Sequence, residues 1–334
     1  MVANMKRMPR AAAFALIVAA VTAAAPRSDT LPRGWLWREP GDVAALDFAG
    51  TVGAPVSLPK PPFTFLREDP SGTQPKLFAR DAAGAIWNVK FGNEAHPESF
   101  AWRVVLACGY FAEPSFFVAS GKFEDYRPIR RATPSLAADG HFTDARFQFR
   151  DPDLKFLDHA NWYWNRPPFA GTRELSGLKI LIMLLANWDN KDARVGAAPR
   201  GHSSGPNTAI FELRRPAGPE FIYAFTDWGA GMGSILGGYS GRSNWRCAEF
   251  SAQSAGFVRR VEARQVVFQY DGAVNEGFRT GIPPAHVAWL MRYLGRITDA
   301  QFRAAFKASG AADNDADGFT RALRTRVEEL RKIK

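Results

Sequence analysis

The stretch Leu178-Lys-Ile-Leu-Ile-Met-Leu-Leu-Ala-Asn187-Trp188-Asp189-Asn190-Lys191-Asp192 decides the reading of this chain. Its apolar run predicts a helix from about Arg173 to Ala186 that delivers Asn187, Trp188 and Asp189 to a loop. Lys191 follows two residues later, and Asn207 opens the next strand-like run, Asn207-Thr-Ala-Ile-Phe211. Further on, Phe221-Ile-Tyr-Ala-Phe-Thr is an apolar strand that ends in Asp227-Trp228-Gly229. Taken singly, each has a plain structural account: Asp189 a loop or cap acid, Lys191 a solvated lysine, Asn207 a turn residue, Asp227 a turn cap ahead of Gly229. Their order is more specific. Phosphoryl transfer needs an acid near the nucleophile, a cation to neutralise the transferred group, and oxygen ligands for Mg²⁺. Asp189 and Lys191 are therefore the candidate catalytic pair, and Asn207 and Asp227 the candidate metal ligands, with Asp192 as a fallback.

A second half lies upstream. Lys76 to Arg80 and Ala85 to Phe91 read as two strands of a hairpin around the turn Asp81-Ala-Ala-Gly84. Lys90 sits near the end of the second strand, between Val89 and Phe91. Alternation then sends Lys90 to one face and its two neighbours to the other. Glu94 to Gly109 has apolar positions at helical spacing and carries Glu98, which can hold an inward-facing lysine; Glu94, a turn earlier, is the competing partner. Ser71-Gly72-Thr73, just before the hairpin, offers backbone N–H groups of the kind that cradle phosphates, although Ser-Gly turns are common and neither phosphate-loop motif is present. Ser115 to Ala119 completes a β-β-α-β order over 71–130.

The rest of the chain narrows the choice. Its 334 residues are 46% hydrophobic and 13% aromatic, a globular composition with room for two domains or one two-lobed one. Lys6, Arg7 and Arg10 precede an apolar run, Ala11 to Ala25, that is too short to span a bilayer and ends in small residues. Residues 1–25 are thus expected to be a signal peptide, with export to the periplasm or medium and no membrane association after cleavage. Residues 26–70 are punctuated by Pro55, Pro59, Pro61 and Pro62 and read as an extended lead-in. The net charge of +10 includes three leader cations and is otherwise dispersed, with no nucleic-acid-binding motif. Cys108 is expected to be buried and unpaired. Asp313-Asn-Asp315-Ala-Asp317-Gly318 resembles the start of a Ca²⁺ loop, but Arg324 stands where a bidentate Glu is required, so Asp317 is expected to cap a helix from Gly318. The five histidines show no metal-ligand spacing. Helices are also expected at Pro284–Leu294 and Asp299–Ala308.

On these residues a family resemblance can be stated. Ser71-Gly72-Thr73-Gln74-Pro75-Lys76-Leu77 resembles the Gly-Xaa-Gln-Xaa-Lys stretch of HipA-like kinases. Asn187-Trp188-Asp189-Xaa-Lys191 with Asn207 resembles their catalytic loop, and Asp227-Trp228-Gly229 is similar to the metal-binding Asp motif of protein kinases. The Lys90-Phe-Gly, Asn187-Trp-Asp and Asp227-Trp-Gly landmarks also resemble those of an uncharacterised group of exported bacterial proteins. The resemblance spans about 70 to 330. It implies an α+β, two-lobed protein-kinase-like fold, with an N-lobe at 71–130, a connection at 131–170 and a mainly helical C-lobe at 171–334. It implies ATP and Mg²⁺ as cofactors, with an unknown protein or small molecule as acceptor. By the same match Lys90 contacts phosphates, Glu98 holds Lys90, Asp189 is the base, and Asn207 and Asp227 bind metal. One departure is visible: 18 positions separate Asp189 from Asn207, where kinase-like loops have about five.

Overall fold

Six α-helices and ten strands are present among the residues that a computed structural model describes, namely 31–72, 74–131, 133–157, 160–166, 168–194, 205–236 and 238–333. The expected signal peptide, Thr73 and most of the stretch between Asp189 and Asn207 lie outside those residues.

The first half builds a barrel. Strands β1 (Phe63–Glu68), β2 (Lys76–Arg80) and β3 (Ile86–Phe91) are followed by helix α1 (Ala95–Ala107) and then β4 (Ser115–Glu124) and β5 (His141–Phe149). The order β1-β2-β3-β5-β4 closes on itself through parallel pairing of β1 with β4, Phe63 opposite Phe123. Odd-numbered side chains of β2, β3 and the second half of β5 point inward, and Leu77, Ala79, Trp87, Val89, Phe91, Ala145 and Phe147 are buried there, while Phe142 is the inward side chain of the first half of β5. Phe63 stacks near Phe147 with ring centroids 4.6 Å apart, and Phe123 near Phe142 at the same separation. Even-numbered positions of β3 face outward, which puts Lys90 on the outside of the barrel and under α1.

The second half begins with β6 (Leu154–Phe156) and α2 (Arg173–Leu184). Strands β7 (Thr208–Leu213) and β8 (Glu220–Phe225) join β6 in a three-stranded antiparallel sheet. Then come α3 (Cys247–Ala252), the β9–β10 hairpin (Val258–Val261 and Val266–Phe268), α4 (Pro284–Leu294), α5 (Asp299–Ala308) and α6 (Asp313–Arg331). Helix α2 is buried along almost its whole length, as expected of a helix apolar all round.

The two-lobed kinase-like architecture is not what forms. The chain is α+β, but five strands close into a barrel, the remaining sheets have only two or three strands, and Arg33 to Lys334 make one compact unit. Two features of the sequence hid this. The lead-in contributes a structural strand, β1, in spite of the prolines before it. In addition, β4 runs ten residues to Glu124, long enough to reach β1 and shut the sheet. The lead-in also ties distant parts together: Trp35 bridges Ile222, Trp37 bridges Tyr110, and Gln301 of α5 donates to the carbonyls of Val43, Ala44 and Leu46.

A smaller correction concerns α6. It starts at Asp313, with Ala312 at the N-cap, so Asp317 lies inside the helix and pairs with Arg303 instead of capping it. Gly318 does not begin the helix; it makes room, since a Cβ there would sit 2.5 Å from Cys247 Sγ. Asp313 is bound by Arg303 and Lys307. Cys108 is buried and free, as expected, and burial pushes its thiol pKa well up. No helix among the described residues is long and apolar enough to cross a membrane.

Candidate functional site

The loop that carries Asp189 is positioned from its base upward. Helix α2 ends because Ala186 adopts a left-handed conformation, φ 52°. Its N–H donates to Met183 O and that of Asn187 to Ile182 O, both at 3.0 Å, a paired closure that satisfies the last carbonyls of the helix. From there nearly every residue is anchored. Asn187 donates through Nδ2 to Asp227 O at 2.8 Å and accepts through Oδ1 from Asp189 N–H at 3.1 Å. Tyr270 donates to Asn187 O, and Ala273 N–H to Trp188 O. Asn190 is fully buried and exchanges hydrogen bonds with both backbone groups of Val274.

The long separation between Asp189 and Asn207 does not pull the two apart. Asn207 N–H donates to Lys191 O at 2.9 Å, and its Nδ2 donates to Asp189 O at 2.5 Å. The intervening chain therefore leaves and returns at one point, and the closure cost of such a loop grows only slowly with length. Asn207 O in turn accepts from Thr226 N–H, which places the start of β7 beside the end of β8 and next to Asp227. Asp192, the fallback ligand, is used structurally: it is fully buried, accepts from Trp164 N–H and pairs with Arg194.

The second half of the site comes from β3 and α1. Lys90 is buried, and its Nζ lies 2.5 Å from Glu98 Oε1 and against Glu94 Oε2. Both candidate partners thus engage it. Helix α1 comes this close to the end of β8 because residue 229 is glycine: a Cβ there would lie 2.9 Å from Glu94 Cβ and from Glu98 Oε1. Carboxylate oxygens of Glu94, Glu98 and Asp227 all fall within 4.8 Å of one another. The Lys90 ammonium between Glu94 and Glu98 is what allows like charges so near.

The electrostatics follow from this crowding. Burial works against the charge on Lys90, but Glu98, Asp227 and Glu94 outweigh it and hold its pKa above the ordinary lysine value. Burial also opposes ionisation of Asp227. Lys90, the Gly229 N–H, Lys191 and Arg146 together prevail and keep its carboxyl below the ordinary range. Asp189 goes the other way: burial and the nearby Asp227 charge raise it, although Lys191 sits 3.1 Å from Oδ2. Glu94 is likewise raised, chiefly by burial. Two acids in one cluster with pKa values displaced in opposite directions is an arrangement suited to separate proton-accepting and charge-holding roles.

Lys90, Glu98, Asp189, Lys191, Asn207 and Asp227 are therefore gathered in one place. Ser71 adjoins the cluster through Lys76, whose Nζ donates to Ser71 Oγ at 3.2 Å. The Ser71 N–H is taken by Asp69 Oδ1, and the carbonyls of Asp69, Ser71 and Gly72 are bound by Arg131. The loop is thus held from below, and Thr73 lies outside the described residues.

Sequence reasoning missed Arg146, Asn88 and Asp69, and carried Lys76 only as the lysine of the Gly-Xaa-Gln-Xaa-Lys resemblance, with no role at the site. Lys76 on β2, Lys90 on β3 and Arg146 on β5 are direct cross-strand neighbours. Arg146 Nε lies 2.7 Å from Glu98 Oε2, close enough for an ion pair, although its N–H is not aligned as a hydrogen bond. Asn88 donates to Asp69 at 2.7 Å, and Asp69 sits 3.9 Å from the Lys76 ammonium. The signal was the alternation itself: Arg146 is a charged residue at an outward position between inward Ala145 and Phe147, but only the register reveals which lysine it meets. No family model, curated protein or solved structure matches this chain.

Proposed function

We propose that this protein is an ATP- and Mg²⁺-dependent phosphotransferase whose acceptor is a protein or small molecule. The observation that carries the reading is the convergence of Lys90–Glu98 from β3 and α1, Asp189–Lys191 from the loop after α2, and Asp227 from the end of β8 on one buried polar cluster. Barrel closure does not bear on it, because the proposal rests on these side chains and not on a fold family. Asp189, with its raised pKa and half-buried setting, is the group that would accept the proton of an attacking hydroxyl. Lys191 and Lys90 would neutralise charge on the phosphates. The donor set fits a hard cation, being carboxylate and amide oxygen. Asp227 would hold Mg²⁺ with Asn207, whose Nδ2 is committed to Asp189 O and whose Oδ1 is the oxygen left for a cation. Bound Mg²⁺ would supply charge neutralisation for the phosphoryl group.

Mg²⁺ and ATP together should raise the thermal stability of the purified protein. The gain is about 2.7 kcal/mol at ligand a hundredfold above Kd, and Asp227→Ala should lose it. No shift at millimolar ATP would sink the proposal.

A second reading is favoured by one observation: the Lys90 ammonium already satisfies Glu94 and Glu98. On that reading the cluster is an internal ion-pair network of a catalytically silent binding protein. Such a protein shows no ATP turnover by phosphorus NMR with any acceptor pool, while keeping normal stability. We also propose export through residues 1–25, which N-terminal sequencing of the mature protein from fractionated cells would test.

A further inference from the structure

We infer that the outer face of the barrel carries a polyphosphate-binding row, Lys76–Lys90–Arg146, in which Arg146 is the principal hydrogen-bond donor. This rests on the phosphotransferase reading for its location and for Lys90, but adds Lys76 and Arg146, which that reading does not use. Three strands each contribute one cation at the same register position: Lys76 lies opposite Lys90, and Lys90 opposite Arg146. Adjacent strands are about 4.8 Å apart, so the row spans roughly 10 Å, longer than one phosphate needs and suited to a chain of two or three.

Like charges directly across a sheet repel, so a row of three demands compensation, and the protein supplies it unevenly: Lys90 lies among Glu94, Glu98 and Asp227, whereas Lys76 and Arg146 are less closely matched. Among the described residues, Lys76 has the distant Asp69, at 3.9 Å, as its ion-pair partner, along with the hydroxyl of Ser71. Burial, Lys90 and Arg146 lower its pKa, and Asp69 only partly restores it. Arg146 shares its carboxylate, Glu98, with Lys90, which also has Glu94 against it. Arg146 is only 3% exposed, yet its Nε and Nη1 have no hydrogen-bond partner among the described residues, and its Nη2 makes one long contact, 3.5 Å, to Asn88 Oδ1. Buried guanidinium donors are rarely left unmade, since each carries a desolvation penalty. Guanidinium is also the side chain best shaped to grip phosphate with two parallel N–H groups. The acids of the cluster, Glu94, Glu98 and Asp227, lie on the α1 and β8 side of the same row. A ligand that brings both signs, a divalent cation complexed to a polyphosphate, meets the unmatched donors and the crowded carboxylates together, where a lone anion or a lone cation meets only one.

The test uses inorganic tripolyphosphate and ATP, each with and without Mg²⁺, and Mg²⁺ alone, against the full chain by calorimetry and thermal shift. Wild type should bind Mg²⁺-tripolyphosphate, and Arg146→Gln should bind it at least tenfold more weakly. Lys76→Gln, on a half-buried position, should weaken it severalfold. Arg146→Lys keeps the charge without the paired N–H groups and should fall between wild type and Arg146→Gln; it serves as the decisive variant if Arg146→Gln does not fold. Tripolyphosphate binding without ATP binding would retain the row and reject the ATP reading. ATP binding that is indifferent to Arg146 and Lys76 would reject the row and retain the ATP reading. Failure of wild type to bind either would overturn both.

Discussion

Replacing Glu98 by Gln isolates the pair of interactions that hold α1 on the barrel. The Glu98 side chain is 9% exposed and faces Lys90, 8% exposed, at 2.5 Å and Arg146, 4% exposed, at 2.7 Å. The amide keeps the shape but removes the one acid at contact distance from Arg146 among the described residues, and one of the three acids, Glu94, Glu98 and Asp227, that act on Lys90. Breaking one side of a buried pair costs about 3–5 kcal/mol, because an uncompensated buried charge is left behind. Glu94 remains against Lys90, so the lower end applies, about 3 kcal/mol. With an unfolding entropy of about 2.1 cal/mol/K per residue, that is a fall in Tm of roughly 5 °C for a chain of this size. Urea denaturation at pH 7 measures it directly, and the double variant Lys90→Met with Glu98→Gln closes the cycle. The double variant should be less destabilised than the sum of the singles by at least about 1 kcal/mol, since residues in one network couple. A Glu98→Gln protein within about 0.5 kcal/mol of wild type, or additive singles, would refute the assignment of Lys90–Glu98–Arg146 as a buried network.

Other outcomes can be checked in the same way. Gly229→Ala pushes a methyl into Glu94 and Glu98 at 2.9 Å and should cost about 1–3 kcal/mol by denaturation, along with any Mg²⁺-ATP stabilisation. Ala186→Gly should raise stability by about 0.5–1 kcal/mol, because only glycine takes the left-handed conformation found there without strain; a loss would show that the helix ends by some other device. Burial pushes the Lys179 ammonium, which donates to Gly277 O, down to about 8. The unfolded chain then binds more protons than the folded one between that value and about 10.4, so stability rises with pH across the window. Lys179→Met should flatten that rise, and identical slopes for the two proteins between pH 8 and 10 would contradict the buried amine.

How much of this was legible in one dimension depends on the range of the forces involved. Periodicity is local, and the hairpin, α1, α2, α4 and α5 could be read from it to within a few residues, as could the face of β3 on which Lys90 stands. The order of Asp189, Lys191, Asn207 and Asp227 carried enough chemistry to nominate a site. Alternation and apolar spacing say nothing about which strands become neighbours, however. Closure of the barrel needed β1 to pair with β4, between segments about sixty residues apart, and the prolines before Phe63 masked the strand. The meeting of Lys76, Lys90 and Arg146 is likewise a matter of register, which hydrogen bonding across the sheet decides and composition does not. The end of α2 was misjudged by two residues because an alanine holds the left-handed position where glycine is the usual signal. The nearness of Asn207 to Asp189 depended on two hydrogen bonds, from the Asn207 N–H to Lys191 O and from its Nδ2 to Asp189 O, that bring the two ends of a long loop together. Residue types and their order were thus fixed by the chain itself, whereas the distances that turn them into a site come from packing α1 onto the barrel at Gly229 and from the sheet that sets Asp227 beside Asn207.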